Sequence, residues 1–166
     1  DSYITNYEIT IDGDLNNDGT PDVVISGDAF GNDITTGMGI TDVAASLMTT
    51  DRLSDNSRIF HHNYYGGRLY LDGLTLTGGR TTASFSDGGG AIVAKSDLYL
   101  QNSALLGNSN YGSYASGGAA AVFGRLQISN STISGNRTEG NGSKGGGIHA
   151  PNYGNQHYIW NSSFTD

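Results

Sequence analysis

Four segments of the chain align without gaps: LYLDGLTLTGG from Leu69, LYLQNSALLGN from Leu98, LQISNSTISGN from Leu126 and HYIWNSSFTD from His157. Their starts lie 29, 28 and 31 residues apart. Three columns are apolar or nearly so: Leu69/Leu98/Leu126/His157, Leu71/Leu100/Ile128/Ile159 and Leu76/Leu105/Ile133/Phe164. A fourth column reads Gly73/Asn102/Asn130/Asn161. Runs of glycine keep the same beat, at Gly88–Gly90, Gly117–Gly118 and Gly145–Gly147. An internal repeat of this length fixes the architecture before any local propensity is considered.

Within each unit the apolar residues alternate, break at the Asn or Gly, and alternate again. That pattern is strand, bend, strand. One such unit has no partner for its apolar face, so units must stack and share a core. The expected fold is all-β: a right-handed parallel β-helix of about four coils of 28–31 residues. Its hand follows the rule for parallel crossovers. Equivalent glycines then lie above one another where φ is positive or backbones approach closely. The Gly73/Asn102/Asn130/Asn161 column predicts a structural ladder in which each amide bonds the next, roughly 4.8 Å along the axis. A β-sandwich with similar hairpins is the competing arrangement, and gap-free columns argue against it.

The glycine segments GGGAIVA, GGAAAVFG and GGGIHA alternate with NSALLGN, NSTISGN and NSSFTD. In these motifs the chain resembles the right-handed parallel β-helix surface and secreted proteins of bacteria, the polymorphic outer-membrane-protein-like and autotransporter-like adhesins. The resemblance covers Gly67 to Asp166, about 60% of the chain. ITIDGDLNNDGTPDVVISGD is similar to the segment that often opens such repeats. The resemblance implies the fold and an extracellular or cell-surface location in a bacterium. It says little about activity, because this scaffold carries adhesins, filaments and polysaccharide-active enzymes alike.

Residues 1–66 read as N-terminal strands, a calcium-type loop and a capping or insertion segment; 67–166 carry the repeats and continue the same domain. YEITIDG and DVVISGD alternate and predict strands. Thr41–Met48 opens on a capping residue followed by helix formers and predicts a short helix. Ala29–Asn63 lacks the repeat and is the candidate cover for the solenoid's first edge. Asp1 opens the chain without a Met, which reads as a processed product or a piece of something longer. The last coil breaks off at Asp166. Self-association, or continuation of the same solenoid, is therefore the expected partnership.

DLNNDGTPD, Asp14 to Asp22, places oxygen side chains at Asp14, Asn16, Asp18 and Asp22, with glycine at Gly19 and the Thr20 carbonyl in the seventh position. These are the first nine positions of a calcium loop of the EF-hand type. The bidentate Glu expected at position twelve is replaced by Ile25, so Asp12 or Asp28 across the hairpin that the loop would close, or water, would complete the shell. An ion-free Gly/Asn/Asp turn joining two strands is the alternative. Calcium is the one cofactor expected.

The remaining candidates are weaker. His61 and His62 lack a neighbouring Cys or Glu, and His149 and His157 fall inside the repeat as structural residues. Asn130, Asn136, Asn141 and Asn161 open Asn-x-Ser/Thr triplets, but Asn130 and Asn161 belong to the ladder column. Tyr70 and Tyr99 align facing away from the Leu columns, with Tyr158 offset from them. Stacked outward tyrosines suit a glycan or a cell-surface partner; ordinary cross-strand packing is the plainer reading.

A net charge of −8 disfavours nucleic acid and anionic membrane, and no run of 18 apolar residues exists to insert in a bilayer. A glycosidase needs two carboxylates across one cleft. The repeats hold only Asp72, Asp87, Asp97, Glu139 and Asp166, with lysines at Lys95 and Lys144. The expected function is a non-enzymatic structural or adhesive solenoid. A carbohydrate-active enzyme or glycan-binding module is the alternative.

Overall fold

The computed structural model describes residues 7–28, 34–36, 39–41, 56–84 and 87–165. It is a parallel β-solenoid of about four turns. The first turn holds β1 (Glu8–Asp12) and β2 (Val23–Ser26); β3 (Ile34–Thr36) and β4 (Gly39–Thr41) then form an antiparallel pair before β5 (Phe60–His62) completes that turn. β6 (Arg68–Asp72), β7 (Leu74–Thr77), β8 (Arg80–Thr81) and β9 (Ile92–Ala94) make the second turn. β10 (Asp97–Gln101), β11 (Ala104–Leu106), β12 (Ser109–Asn110) and β13 (Ala120–Val122) make the third. The fourth comprises β14 (Leu126–Ser129), β15 (Thr132–Ser134), β16 (Arg137–Thr138) and β17 (Ile148–His149), after which β18 (Tyr158–Trp160) and β19 (Ser163–Thr165) begin another.

Equivalent strands stack in sheets ordered β1-β6-β10-β14-β18, β2-β7-β11-β15-β19, β8-β12-β16 and β5-β9-β13-β17. The register matches Leu69 with Leu98 and Leu126, Leu71 with Leu100, Ile128 and Ile159, and Leu76 with Leu105, Ile133 and Phe164. These side chains are buried in the inner turns, where each Leu contributes about 1.5 to 3 kcal/mol. Ile9, Ile11 and Ile25 extend the same columns into the first turn. Among the described residues, the solenoid columns are present from β1 onward, on both sides of the junction at residue 66.

Ala29–Asn63 divides into two parts. Asn56 bridges Asp28, so the chain leaves the first turn and returns beside its point of departure. Residues 56–63 belong to the coil: β5 pairs β9, and Arg58 donates to the Gly89 carbonyl at 2.9 Å and to Thr81 Oγ1 at 3.1 Å. The helix expected over Thr41–Met48 falls, past Thr41 at the end of β4, outside the described residues.

The glycine runs answer to contact as well as to conformation. A Cβ on Gly118 would lie 1.9 Å from the Gly146 carbonyl oxygen, and one on Gly90 would lie 2.3 Å from that of Gly118. No side chain fits between backbones that close.

The corner between the two long sheets is held by the fourth column. Asn102, Asn130 and Asn161 take φ of 46°, 48° and 48°, and Gly73 takes 63°. Asn reaches this left-handed region more readily than other residues with a Cβ. The amide of Asn161 donates to Asn130 Oδ1 at 2.6 Å, Asn130 to Asn102 Oδ1 at 3.1 Å, and Asn102 to Asp72 Oδ1 at 2.9 Å. A serine ladder runs beside it: Ser103, Ser131 and Ser162 each accept, at 3.1 Å, the backbone N–H of Leu74, Ser103 and Ser131 respectively. A third ladder is buried, with Asn108 donating to Asn136 Oδ1 at 3.0 Å and accepting from Gly79 N–H at 2.8 Å.

Replacing Asn102 separates the two roles of the corner. Asn102→Ala should lower unfolding stability by roughly 2 to 4 kcal/mol, from left-handed strain plus lost ladder bonds. Asn102→Gly removes the strain and should recover about 1 to 2 kcal/mol of that loss. Equal losses in denaturant melts would mean that conformation has no part in the choice of Asn.

Candidate functional site

The Asp14–Asp22 loop joins no hairpin. β1 pairs β6 and β2 pairs β7, in different sheets. Asp12 matches Asp72 and Val23 matches Leu74, so residues 13–22 occupy the corner that Gly73 alone fills in the next turn. The loop lies on that corner. A Cβ on Gly73 would fall 2.1 Å from the Asp14 nitrogen, which explains why this column holds glycine where later turns hold Asn.

Inside the loop, carboxylates bond backbone amides. Asp14 accepts from Asp18 and Gly19 N–H at 3.0 Å each, and Asp22 accepts from Leu15 at 2.9 Å and Asn16 at 3.3 Å. Asp18 accepts from Thr20 N–H at 2.9 Å, while the Asn16 amide donates to its other oxygen at 3.1 Å. The hydrogen bonds from Thr20 hold the Asp18 carboxyl below its ordinary range. The donors are all oxygens, as a hard cation requires. Among the described residues, no three His, Asp or Glu side chains gather as a metal-holding group. Asp28 lies two residues beyond β2, bridged to Asn56.

Tyr70 and Tyr99 stack with ring centroids 4.3 Å apart and planes inclined by 14°. Tyr158 is not offset from them. Gln127 matches both Tyr99 and Tyr158, so all three tyrosines share one outward column, interrupted by that glutamine. His61 and His62 point to opposite sides of β5: His61 is exposed, and His62 is buried with Nδ1 bonded to Ser96 Oγ. Nε2 of His62 has no hydrogen-bond partner. His157 accepts the Leu126 N–H through Nδ1 at 3.2 Å. Of the glycosylation-type asparagines, Asn136 is buried and donates to the Leu105 carbonyl at 2.8 Å, which withdraws it from modification.

Among the described residues, the acids of the repeats are engaged with their neighbours, Glu139 with Arg137 at 2.8 Å. Asp72 accepts from Asn102, Asp97 accepts the Arg125 N–H at 2.7 Å, and Asp87 pairs with Lys95 at 2.8 Å.

One cleft was not anticipated from the sequence. It has a volume of about 320 Å³ and is lined by Tyr114, Ser116, Phe123, Lys144, His149 and Tyr153. Three loops and strand ends from successive turns build it, because Ser116 lies beside Lys144 and Ala121 beside His149 in the parallel register. Tyr114, Ser116 and Phe123 come from one turn and Lys144, His149 and Tyr153 from the next, so the site shows only when the two turns stack. The one visible signal is the cluster of Tyr111, Tyr114 and Tyr153 in glycine-rich turns.

Burial pushes the His62 imidazole below its ordinary value of 6.5. The unfolded chain therefore takes up a proton that the folded chain resists, and stability is lost as pH falls below about 6.5. Chemical melts should show this loss, and His62→Gln should flatten the slope between about pH 7 and 5. An unchanged slope in the variant would assign the acid sensitivity to other groups.

No protein-family model, no curated protein and no solved structure matches the chain.

Proposed function

We propose that the chain is a non-enzymatic structural and adhesive β-solenoid, a building piece of a bacterial surface adhesin or filament that works outside the cell. The supporting observation is the edge formed by β18 and β19. Ile159 is 51% exposed and Phe164 47% exposed, although their columns are fully buried two turns earlier. A further coil, of the same solenoid or of a second copy, would cover both side chains and pair with β18 and β19. A head-to-tail contact of that kind builds filaments unless its rotation closes a ring.

A second reading, a glycan-binding surface, is favoured by Tyr70 and Tyr99, half-buried and stacked on each other along the outer side of the β6–β10 sheet. Such aromatic platforms suit sugar rings.

The Asp14–Asp22 loop completes the proposal. Asp14, Asn16, Asp18, the Thr20 carbonyl and Asp22 would hold calcium, which would replace the internal Asn16–Asp18 bond and clamp the first corner.

Two experiments test these claims. In sedimentation velocity and electron microscopy, the chain should form linear assemblies at high concentration, and Ile159→Lys with Phe164→Lys should leave monomers with an unchanged β-sheet spectrum. A parent chain that stays monomeric overturns the assembly reading. For the loop, calcium at a hundredfold excess over Kd should add about 2.7 kcal/mol of stability, and Asp18→Ala should abolish the gain. Equal melting temperatures with calcium and with chelator would reduce the loop to a turn.

A further inference from the structure

Tyr114 has a φ of 55°. Among the described residues, every other non-glycine residue in this region of φ is asparagine. A bulky side chain held there is strained, and such strain persists where the surroundings impose it, often at binding sites. The equivalent position one turn later is Gly142, also left-handed at 71°. A Cβ on Gly142 would fall 2.6 Å from Cδ1 of the Tyr114 ring. Glycine there leaves room for the ring, which remains 56% exposed. The backbone cost at Tyr114 thus places an aromatic face at the mouth of the cleft rather than in the core.

Tyr153 is 71% exposed, and Phe123 supplies a third ring, with the Lys95 ammonium 4.6 Å from its centroid. Lys95 is already paired with Asp87. Lys144 is exposed and forms no ion pair among the described residues, in a chain whose net charge is −8. Burial and the charge of Lys144 both hold His149 toward its neutral form, so the cleft carries one clear positive charge beside three rings and the Ser116 hydroxyl.

We propose that this cleft binds a carboxylate-bearing sugar unit, with its ring against Tyr114 and Tyr153 and its carboxylate near Lys144. Sugar rings present an apolar C–H face to an aromatic plane and hydroxyls to the polar groups around it. A volume near 320 Å³ lies at the lower end of the range for small-molecule sites and suits one or two sugar rings. One cation selects one anion, and the acidic remainder of the surface repels densely charged polymers, nucleic acid among them. The proposal rests on the adhesive half of the reading above and is separate from the assembly half. A chain that assembles but binds no sugar refutes this proposal alone.

The test titrates the full chain with galacturonate, glucuronate and neuraminate oligosaccharides and with the methyl esters of each, by calorimetry and NMR shift mapping. At least one acid should bind, with shifts at the cleft, and its ester should bind about tenfold more weakly. Tyr153→Ala should weaken binding of the acid about tenfold without altering the melting temperature. Lys144→Gln should bring acid and ester to equal affinity. Tyr114→Gly removes the ring and relieves the backbone, so it should lose binding while keeping or gaining stability. Failure of the whole panel to bind overturns the proposal. So does equal binding of acids and esters by the parent chain, or binding that survives all three substitutions and maps instead to Tyr70 and Tyr99.

Discussion

Every turn of this solenoid must bend at the same place by the same amount, because parallel strands one coil apart share their hydrogen bonds. The left-handed residue at the corner between the two long sheets meets that demand. Asn102, Asn130 and Asn161 adopt nearly one φ, and their amides connect turn to turn. With the corner fixed, the strands on either side fall into register, and the Leu and Ile columns follow. A one-residue slip at any corner would turn those columns outward along a whole strand. The serine ladder beside the corner adds a hydrogen bond at each step where the turning backbone would otherwise leave an N–H without a partner.

The first turn solves the same problem differently. Ten residues replace one, and the loop they form lies down on Gly73. The solenoid therefore accepts long departures at a corner or a side, provided that the chain returns in register. Asp28 and Asn56 bridge where the chain leaves and rejoins the first turn. Lengthening a closed loop costs little in stability.

Much of the fold was legible because stacking repeats chemistry at fixed intervals. Leu71, Leu100, Ile128 and Ile159 could be aligned by eye, and so could the asparagine column. The first turn was harder to read. Ile9, Ile11 and Ile25 belong to the same columns, but the inserted loop and residues 29–55 break the spacing, and the loop between two alternating segments read as a hairpin. The buried Asn108 and Asn136 follow the last apolar column as visibly as the outer asparagines follow theirs. Sequence alone does not say that a polar residue in that place faces inward. The cleft was the least legible feature, since Ser116 meets Lys144 and Tyr114 meets Gly142 only through the register of separate turns. The left-handed backbone at Tyr114 leaves no trace in composition or period.

The asparagine ladder also has a direction. A carboxylate can only accept, so Asp72 obliges Asn102 to turn its NH₂ toward the first coils and its oxygen toward the last. Asn130 must then present its own NH₂ to that oxygen, and Asn161 must follow. The amide dipoles align along the axis, with an anion at the end where their positive poles point. This is the arrangement that stabilises a helix N-terminus, built here from side chains. With its NH₂ engaged by Asn130, Asn161 keeps its oxygen for the next position along the axis, where a donor fits and an acceptor does not. The column thereby gives the solenoid axis a direction that its apolar columns, which carry no dipole, do not supply.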